Sequence, residues 1–157
     1  MSETTDLIRD MAEKLFGDAC QKSVLAAAEN GEFQRALWQE IADAGLAGAL
    51  LPESAGGSAL AIEDALAALR ISASRAAPVP LAETMLAGWL AGAAVALPEG
   101  PLTIAPTSSG SALALKKNGA GWRLEGVARR VPFARNAAAI LVLAKTDGAN
   151  MVARVDP

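Results

Sequence analysis

The stretch ALWQEIADAGLAGALLPESAGGSALAIEDALAALR, Ala36 to Arg70, decides how this chain is read. With Phe33 just before it, Leu37, Ile41 and Ala44 fall on one helical face. The spacing predicts a helix from about Glu32 to Ala44, and Gly45 stands where a carboxy-terminal cap belongs. Leu46 to Leu51 reads as an extended apolar piece, and Pro52 to Ser58 as a loop. Ser58 is placed to cap the next helix, which carries Ile62, Ala65, Leu66 and Leu69 on one face. Gly56-Gly57 reads simply as a loop leading into that helix, where permissive φ/ψ is all that is needed.

Toward the amino terminus, Leu7, Ile8, Met11 and Leu15 mark another helical face, with Thr5 or Asp6 as its cap. Gly17-Asp18 interrupts it, and a further stretch with Val24, Leu25 and Ala28 stops at Asn30-Gly31. Toward the carboxy terminus, Ser72 to Pro80 reads as a linker and Leu81 to Leu97 as a buried helix. Its uncharged core, Met85 to Leu97, is too short to span a bilayer. The texture changes at Pro98 to Pro101, which predicts a boundary between residues 1–100 and 101–157. Beyond it, Leu102 to Ala105 and Ser111 to Lys117 read as strands. Asn118-Gly119 signals a hairpin, and Trp122 and Leu124 share a face of the returning strand. Gly126 interrupts that strand, and Val127 to Val131 is expected to continue it across a bulge. Ala138 to Ala144 and Met151 to Val155 complete the set. The expected class is therefore α+β: helices first, then a β-unit.

Composition narrows the chemistry. The 157 residues are 52% hydrophobic and 20% charged, a globular balance. Aromatics are only 4%, so a core of Leu, Ile, Val and Ala is expected, with Trp38, Trp89 and Trp122 as isolated large anchors. Lys plus Arg is 14 against 17 for Asp plus Glu, a net charge of −3 with no basic run, which argues against nucleic-acid binding. With no histidine or tyrosine and a single cysteine, histidine triads, histidine bases and most metal sites are excluded within these residues. Cys20 reads as a small apolar residue and fits a reducing, cytoplasmic setting, and the polar start MSETTDLIRD is not a secretory signal.

Ala36 to Arg70 resembles the acyl-CoA dehydrogenase family. The correspondence rests on Leu37-Trp38, Gly45, Leu50-Leu51, Pro52-Glu53 and Gly56-Gly57. Leu81 to Leu97 is similar to the family helix that lines the acyl end of the pocket. GWRLEGVARRVPFARNAAAILVLAKTDG, Gly121 to Gly148, is similar to the family's β-domain segment, with its Trp-x-Leu-x-Gly strand and Ala-rich strand. The resemblance implies an amino-terminal helical domain, a middle antiparallel β-barrel that is incomplete here, and a last helical bundle. The glutamate that serves as base in that bundle would lie outside this chain, and no catalytic residue is named within it. It implies FAD as cofactor, acyl-CoA as substrate, oxidation of the thioester to the 2,3-enoyl form, and assembly into a homo- or hetero-oligomer.

The flavin segments depart from the family pattern. Thr107 corresponds to the threonine of Thr-Glu-Pro, and Gly110-Ser111 to the Gly-Ser of Gly-Ser-Asp at a shortened spacing, with Ala112 in place of the aspartate. A plain Ser/Gly loop between strands remains the alternative there. In Gly-x-Lys-x-Trp-Ile-Thr the match is Gly126 to Pro132: the glycine and the β-branched residue, Val131, are kept, and the lysine, aromatic and hydroxyl are not. Thr107, Gly110, Ser111 and Val131 are the candidate cofactor contacts. Arg129, Arg130 and Arg135 read either as an anion site for a CoA or FAD phosphate or as charges blunting a strand edge. Small residues at 87, 88, 91 and 92 are expected to leave room for a bulky acyl group. The alternative function is a non-catalytic partner in an acyl-CoA dehydrogenase-like complex. Open strand edges near Leu141 and Met151 lead to an expectation of association.

Overall fold

A computed structural model describes residues 3–92, 94–106 and 113–157. Among the described residues five α-helices come first: α1 (Glu3–Ala19), α2 (Lys22–Glu29), α3 (Arg35–Asp43), α4 (Ile62–Ser74) and α5 (Leu81–Ala91), with a 3-10 turn at Glu53–Ala55. Five strands follow: β1 (Leu102–Ala105), β2 (Leu113–Asn118), β3 (Gly121–Glu125), β4 (Ala139–Thr146) and β5 (Ala149–Val155).

The helices surround one apolar cluster. In α1 the buried line is Ile8, Ala12 and Phe16, while Leu7 stays 65% exposed, so the face is rotated from the one expected. Ala12 is the reason: with Ala65 and Ala68 of α4, all fully buried, it lets the two helix backbones approach closely. Thr5 donates its hydroxyl to the buried Asp64 carboxylate across the same contact. In α3, Leu37, Trp38 and Ile41 face inward as expected, and Gly45 ends the helix at φ 74.

The piece from Leu46 to Leu51 is not extended. It folds into turns, with the Ala49 N–H on the Leu46 carbonyl and the Leu51 N–H on the Gly48 carbonyl. Residues 58–60 then return against it: the Ser58, Ala59 and Leu60 N–H groups donate to Gly48, Leu51 and Ala49 at 3.1, 3.0 and 2.8 Å. Ser58 is thus held in this closure, and Ala61 takes the cap position before α4. The expected linker begins late, because α4 runs on to Ser74. Left-handed Ala76, whose neighbour Ala77 donates to the Ser72 carbonyl at 3.0 Å, and then Pro78 end it.

Helix α5 stops at Gly92 (φ 51), six residues short of Pro98. It joins the two halves. Leu81 and Met85 enter the helical cluster, and Ala87 and Ala91 enter a second cluster with Leu102, Ala139 and Leu141. Its other face is open, so it is not a fully buried helix: Trp89 is 59% exposed, with Leu86 and Leu90 beside it. Thr84 ties α5 to β1, accepting from the Leu102 N–H at 3.0 Å and donating to its carbonyl at 3.1 Å.

The α+β class holds, and the sheet is open and mixed, not purely antiparallel. Central β4 pairs in parallel with β1 (Leu102 opposite Ala139) and with β2 (Leu113 opposite Ala144). Its other edge pairs antiparallel with β5 through a turn at Asp147-Gly148. Since β5 spans nearly all of β4, β1 and β2 must follow one another along the opposite edge. The β2–β3 hairpin forms where expected, one residue later: Gly119 and Ala120 are its tip, with Gly119 at φ 58. Val127 to Val131 is not a strand. At Gly126 (φ 132) the chain leaves the sheet.

Candidate functional site

Of the sequence-derived contacts only Val131 lies among the described residues, on the segment after β3. Thr107, Gly110 and Ser111 lie outside the described residues. Val131 is half-buried against a third apolar cluster built on Leu113, Leu115, Val142 and Ala144. The next residue, Pro132, has no N–H, and its carbonyl accepts from the buried Thr103 hydroxyl at 2.7 Å. The segment is fixed further by the Phe133 carbonyl, which accepts from the Asn136 and Ala137 N–H groups at 2.9 and 3.1 Å. The Ala138 N–H donates to the Pro101 carbonyl at 2.7 Å. Arg130 and Phe133 are both left-handed, at φ 55 and 50.

At the end of β1 a cavity of about 290 Å³ opens between α5 and the sheet, lined by Leu90, Ile104, Ala105, Pro106, Leu141, Val142, Leu143 and Val152. Every lining side chain is apolar, so the cavity can hold an aliphatic or alicyclic group by burial and offers no acid, base or nucleophile. A larger cleft, about 1170 Å³, runs between α3, the 47–56 loop, Thr84 and Gly88 of α5, and the crossing segment from Val95 to Pro101. It is bordered by Arg35, Gln39, Asp43 and Glu99.

Of the small residues expected to leave room, Ala87 and Ala91 do not open space, whereas Gly88 borders the larger cleft and a Cβ at Gly92 would meet nothing within 4 Å. Ala87 and Ala91 are consumed by packing on β1 and β4, and a Cβ on Gly88 would stand 3.5 Å from Leu51. The apolar room lies beside Leu90 and Leu143, whose exposure no single-sequence pattern announced. Burial pushes the Cys20 thiol up, against a smaller opposing effect of Arg75, so it is not an activated nucleophile. Among the described residues no group of histidine, cysteine or carboxylate side chains could hold a metal ion, and no helix is long and apolar enough to cross a membrane.

No curated protein matches the chain. Among solved structures, the Tcur3481-Tcur3483 steroid ACAD, in a variant form, is 30% identical with a TM-score of 0.84, over 98% of this chain and 48% of that one. The ChsE4-ChsE5 complex from Mycobacterium tuberculosis is 24% identical with a TM-score of 0.80, over 99% and 48%. The electron transferring flavoprotein of Acidaminococcus fermentans is 16% identical with a TM-score of 0.78, over 100% and 48%. The last two share the fold alone. The chain spans about half the length of the solved structures it matches. Residues 2–95, more than half of the 157, match the acyl-CoA dehydrogenase amino-terminal domain, and the chain belongs to the acyl-CoA dehydrogenase family.

Proposed function

We propose that this chain works within an FAD-dependent acyl-CoA dehydrogenase that oxidises an acyl-CoA thioester to the 2,3-enoyl-CoA in the cytoplasm. It contributes a helical domain, residues 1–100, and the first part of the β-domain, residues 101–157. The observation that carries this reading is the family match over residues 2–95, continuous with a sheet that follows the fold of a steroid ACAD. The apolar cavity at Leu90 and Leu143 is the proposed acyl end. When bound, FAD supplies the hydride acceptor.

The described residues fit the cofactor in part. Val131 is apolar and backed by a packed cluster, as a ring contact requires, and Thr107, Gly110 and Ser111 are the other proposed contacts. Pro132 does not fit: it offers neither N–H nor hydroxyl, and Thr103 holds its carbonyl. The complete assembly, given a panel of acyl-CoA thioesters and an artificial electron acceptor, is expected to form the 2,3-enoyl product. No product from any thioester, in a preparation that contains flavin, sinks the reading.

A second reading has its own support. Ala128, Arg130 and Pro132 stand where the family pattern has lysine, aromatic and hydroxyl, as in a non-catalytic partner that completes another subunit's site. Two of the similar structures are named for paired components. Flavin content discriminates: one flavin per copy of this chain favours the self-contained dehydrogenase, and one shared with a second polypeptide favours the partner. Either way, the outer edges of β3 and β5 and the open Leu86, Trp89 and Leu90 face favour association. Sedimentation of the chain alone is expected to show oligomers, and a monodisperse monomer counts against this.

A further inference from the structure

We propose that Asn118, at the tip of the β2–β3 hairpin, is a self-modifying site that converts to aspartyl and isoaspartyl forms with water as the only co-reactant. The chain has four asparagines, and two of them, Asn30 and Asn118, precede a glycine. The side-chain amide of asparagine is open to attack by the backbone nitrogen of the next residue. Glycine leaves that nitrogen unshielded, because it carries no Cβ. By sequence the two Asn-Gly pairs are equivalent, and the fold separates them.

At Asn30 the attacking nitrogen is occupied. The Gly31 N–H donates to the Ala28 carbonyl at 2.9 Å, and the Glu32 N–H donates to the Ala27 carbonyl at 3.0 Å, which closes the end of α2. Asn30 is itself held through its N–H on the Ala26 carbonyl at 3.2 Å. Asn118 has no such restraint on its far side. Gly119 opens the two-residue tip at φ 58, and among the described residues neither its N–H nor the Asn118 side chain makes a hydrogen bond. A Cβ at Gly119 would meet nothing within 4 Å, and residues 118 to 120 are all exposed, so the attacking nitrogen and water both reach the amide carbon.

The step balances without an oxidant. The Gly119 nitrogen gives its proton to solvent and bonds to Asn118 Cγ, the Cγ–Nδ2 bond breaks, and ammonia leaves a cyclic imide. Water then opens the ring at either carbonyl. Opening at the former backbone carbonyl routes the main chain through Cγ and lengthens it by one carbon. Either product adds a carboxylate next to Lys117, whose ammonium lies 5.8 Å from the centroid of the exposed Trp122 ring. The longer isoaspartyl form also strains the pairing of Asn118 with Gly121 that closes the hairpin, so the register behind it loosens. Since β3 is a terminal strand of the sheet, the change stays local to the hairpin. None of this depends on the acyl-CoA reading above.

The test is incubation of the full chain in mildly alkaline buffer, followed by peptide mass spectrometry and isoaspartyl-specific methyl labelling. The peptide with Asn118 is expected to convert at least about tenfold faster than the one with Asn30, the ratio that corresponds to releasing one hydrogen-bonded N–H. In denaturant the two rates should come within about threefold, because the bond on the Gly31 N–H is gone. Asn118→Gln, whose longer side chain closes the ring poorly, should abolish conversion at 118 and leave the circular dichroism spectrum unchanged. In the aged wild type, amide hydrogen exchange should quicken in β2 and β3 and stay unchanged in β4 and β5. Equal conversion at Asn30 and Asn118 in the folded chain, or conversion at Asn118 only in denaturant, overturns the site. Isoaspartyl formation at 118 with unchanged exchange in β2 and β3 overturns the loosening of the hairpin.

Discussion

Gly57→Ala is expected to lower stability by about 3 kcal/mol or more, the upper range for forcing atoms into packed space. A Cβ at residue 57 would overlap the Leu51 carbonyl oxygen and stand 2.5 Å from the Leu51 Cβ. Neither obstacle is the end of a flexible side chain. The Leu51 carbonyl already accepts the Ala59 N–H at 3.0 Å, and the Gly57 N–H donates to the Pro52 carbonyl at 3.0 Å, so the loop cannot shift without breaking its own closure. Thermal denaturation should show a midpoint roughly 6–12 °C below wild type for a chain of this size. A midpoint within about 2 °C would show that the close approach is not there. Gly56→Ala is the informative contrast. Its Cβ meets open space, but its φ of 84 is left-handed, so the cost is conformational, about 1–2 kcal/mol.

Thr84→Val is expected to cost about 2–4 kcal/mol, because it strips a buried donor and a buried acceptor of their partner together. Thr84 is 4% exposed, and its hydroxyl satisfies both the N–H and the carbonyl of Leu102 on the side of β1 away from β4. A valine fills the volume and leaves both groups unpaired in an apolar setting. Thr84→Ser keeps the hydroxyl and gives up one methyl, so about 1 kcal/mol is expected. Chemical denaturation of the pair separates the two contributions. Equal losses for valine and serine would mean that packing, not the hydrogen bonds, holds α5 on β1. The result bears on the site, since this contact sets the distance between α5 and the sheet around the apolar cavity.

The two adjacent glycines illustrate how far sequence reading reached. Gly56 and Gly57 look equivalent in the sequence, and permissive φ/ψ explains the first only. Gly57 is required by backbone approach from Leu51, a contact created when residues 58–60 fold back over 48–51. Periodicity located the five α-helices of the described residues, but a helix face is defined only by what packs on it: Ala12 faces in and Leu7 faces out because Ala65 and Ala68 lie opposite. The hairpin at Gly119 was legible because its bonds close over a few residues. The turn at Asp147-Gly148 is the same kind of signal, and it became evident only from the pairing of β4 with β5.

The candidate site divided in the same way. Val131 and the loss of a donor at Pro132 follow from residue identity, but the Thr103 bond that fixes the Pro132 carbonyl spans residues 103 to 132 and belongs to no local pattern. The small residues of α5 suggested space by their size, and the structure spent that size on packing against β1 and β4 at Ala87 and Ala91, while Gly88 borders the larger cleft.

The sequence by itself determined the order of helices and most strands and the family, because these depend on residue type and short-range spacing. Only the tertiary structure decided the parallel pairing of β1 and β2 along β4, the open face of α5, the apolar cavity beside it and the departure of residues 127–131 from the sheet. Each of these is set by contacts between segments far apart in the chain, where the competing choices differ in packing and hydrogen bonding and not in local propensity.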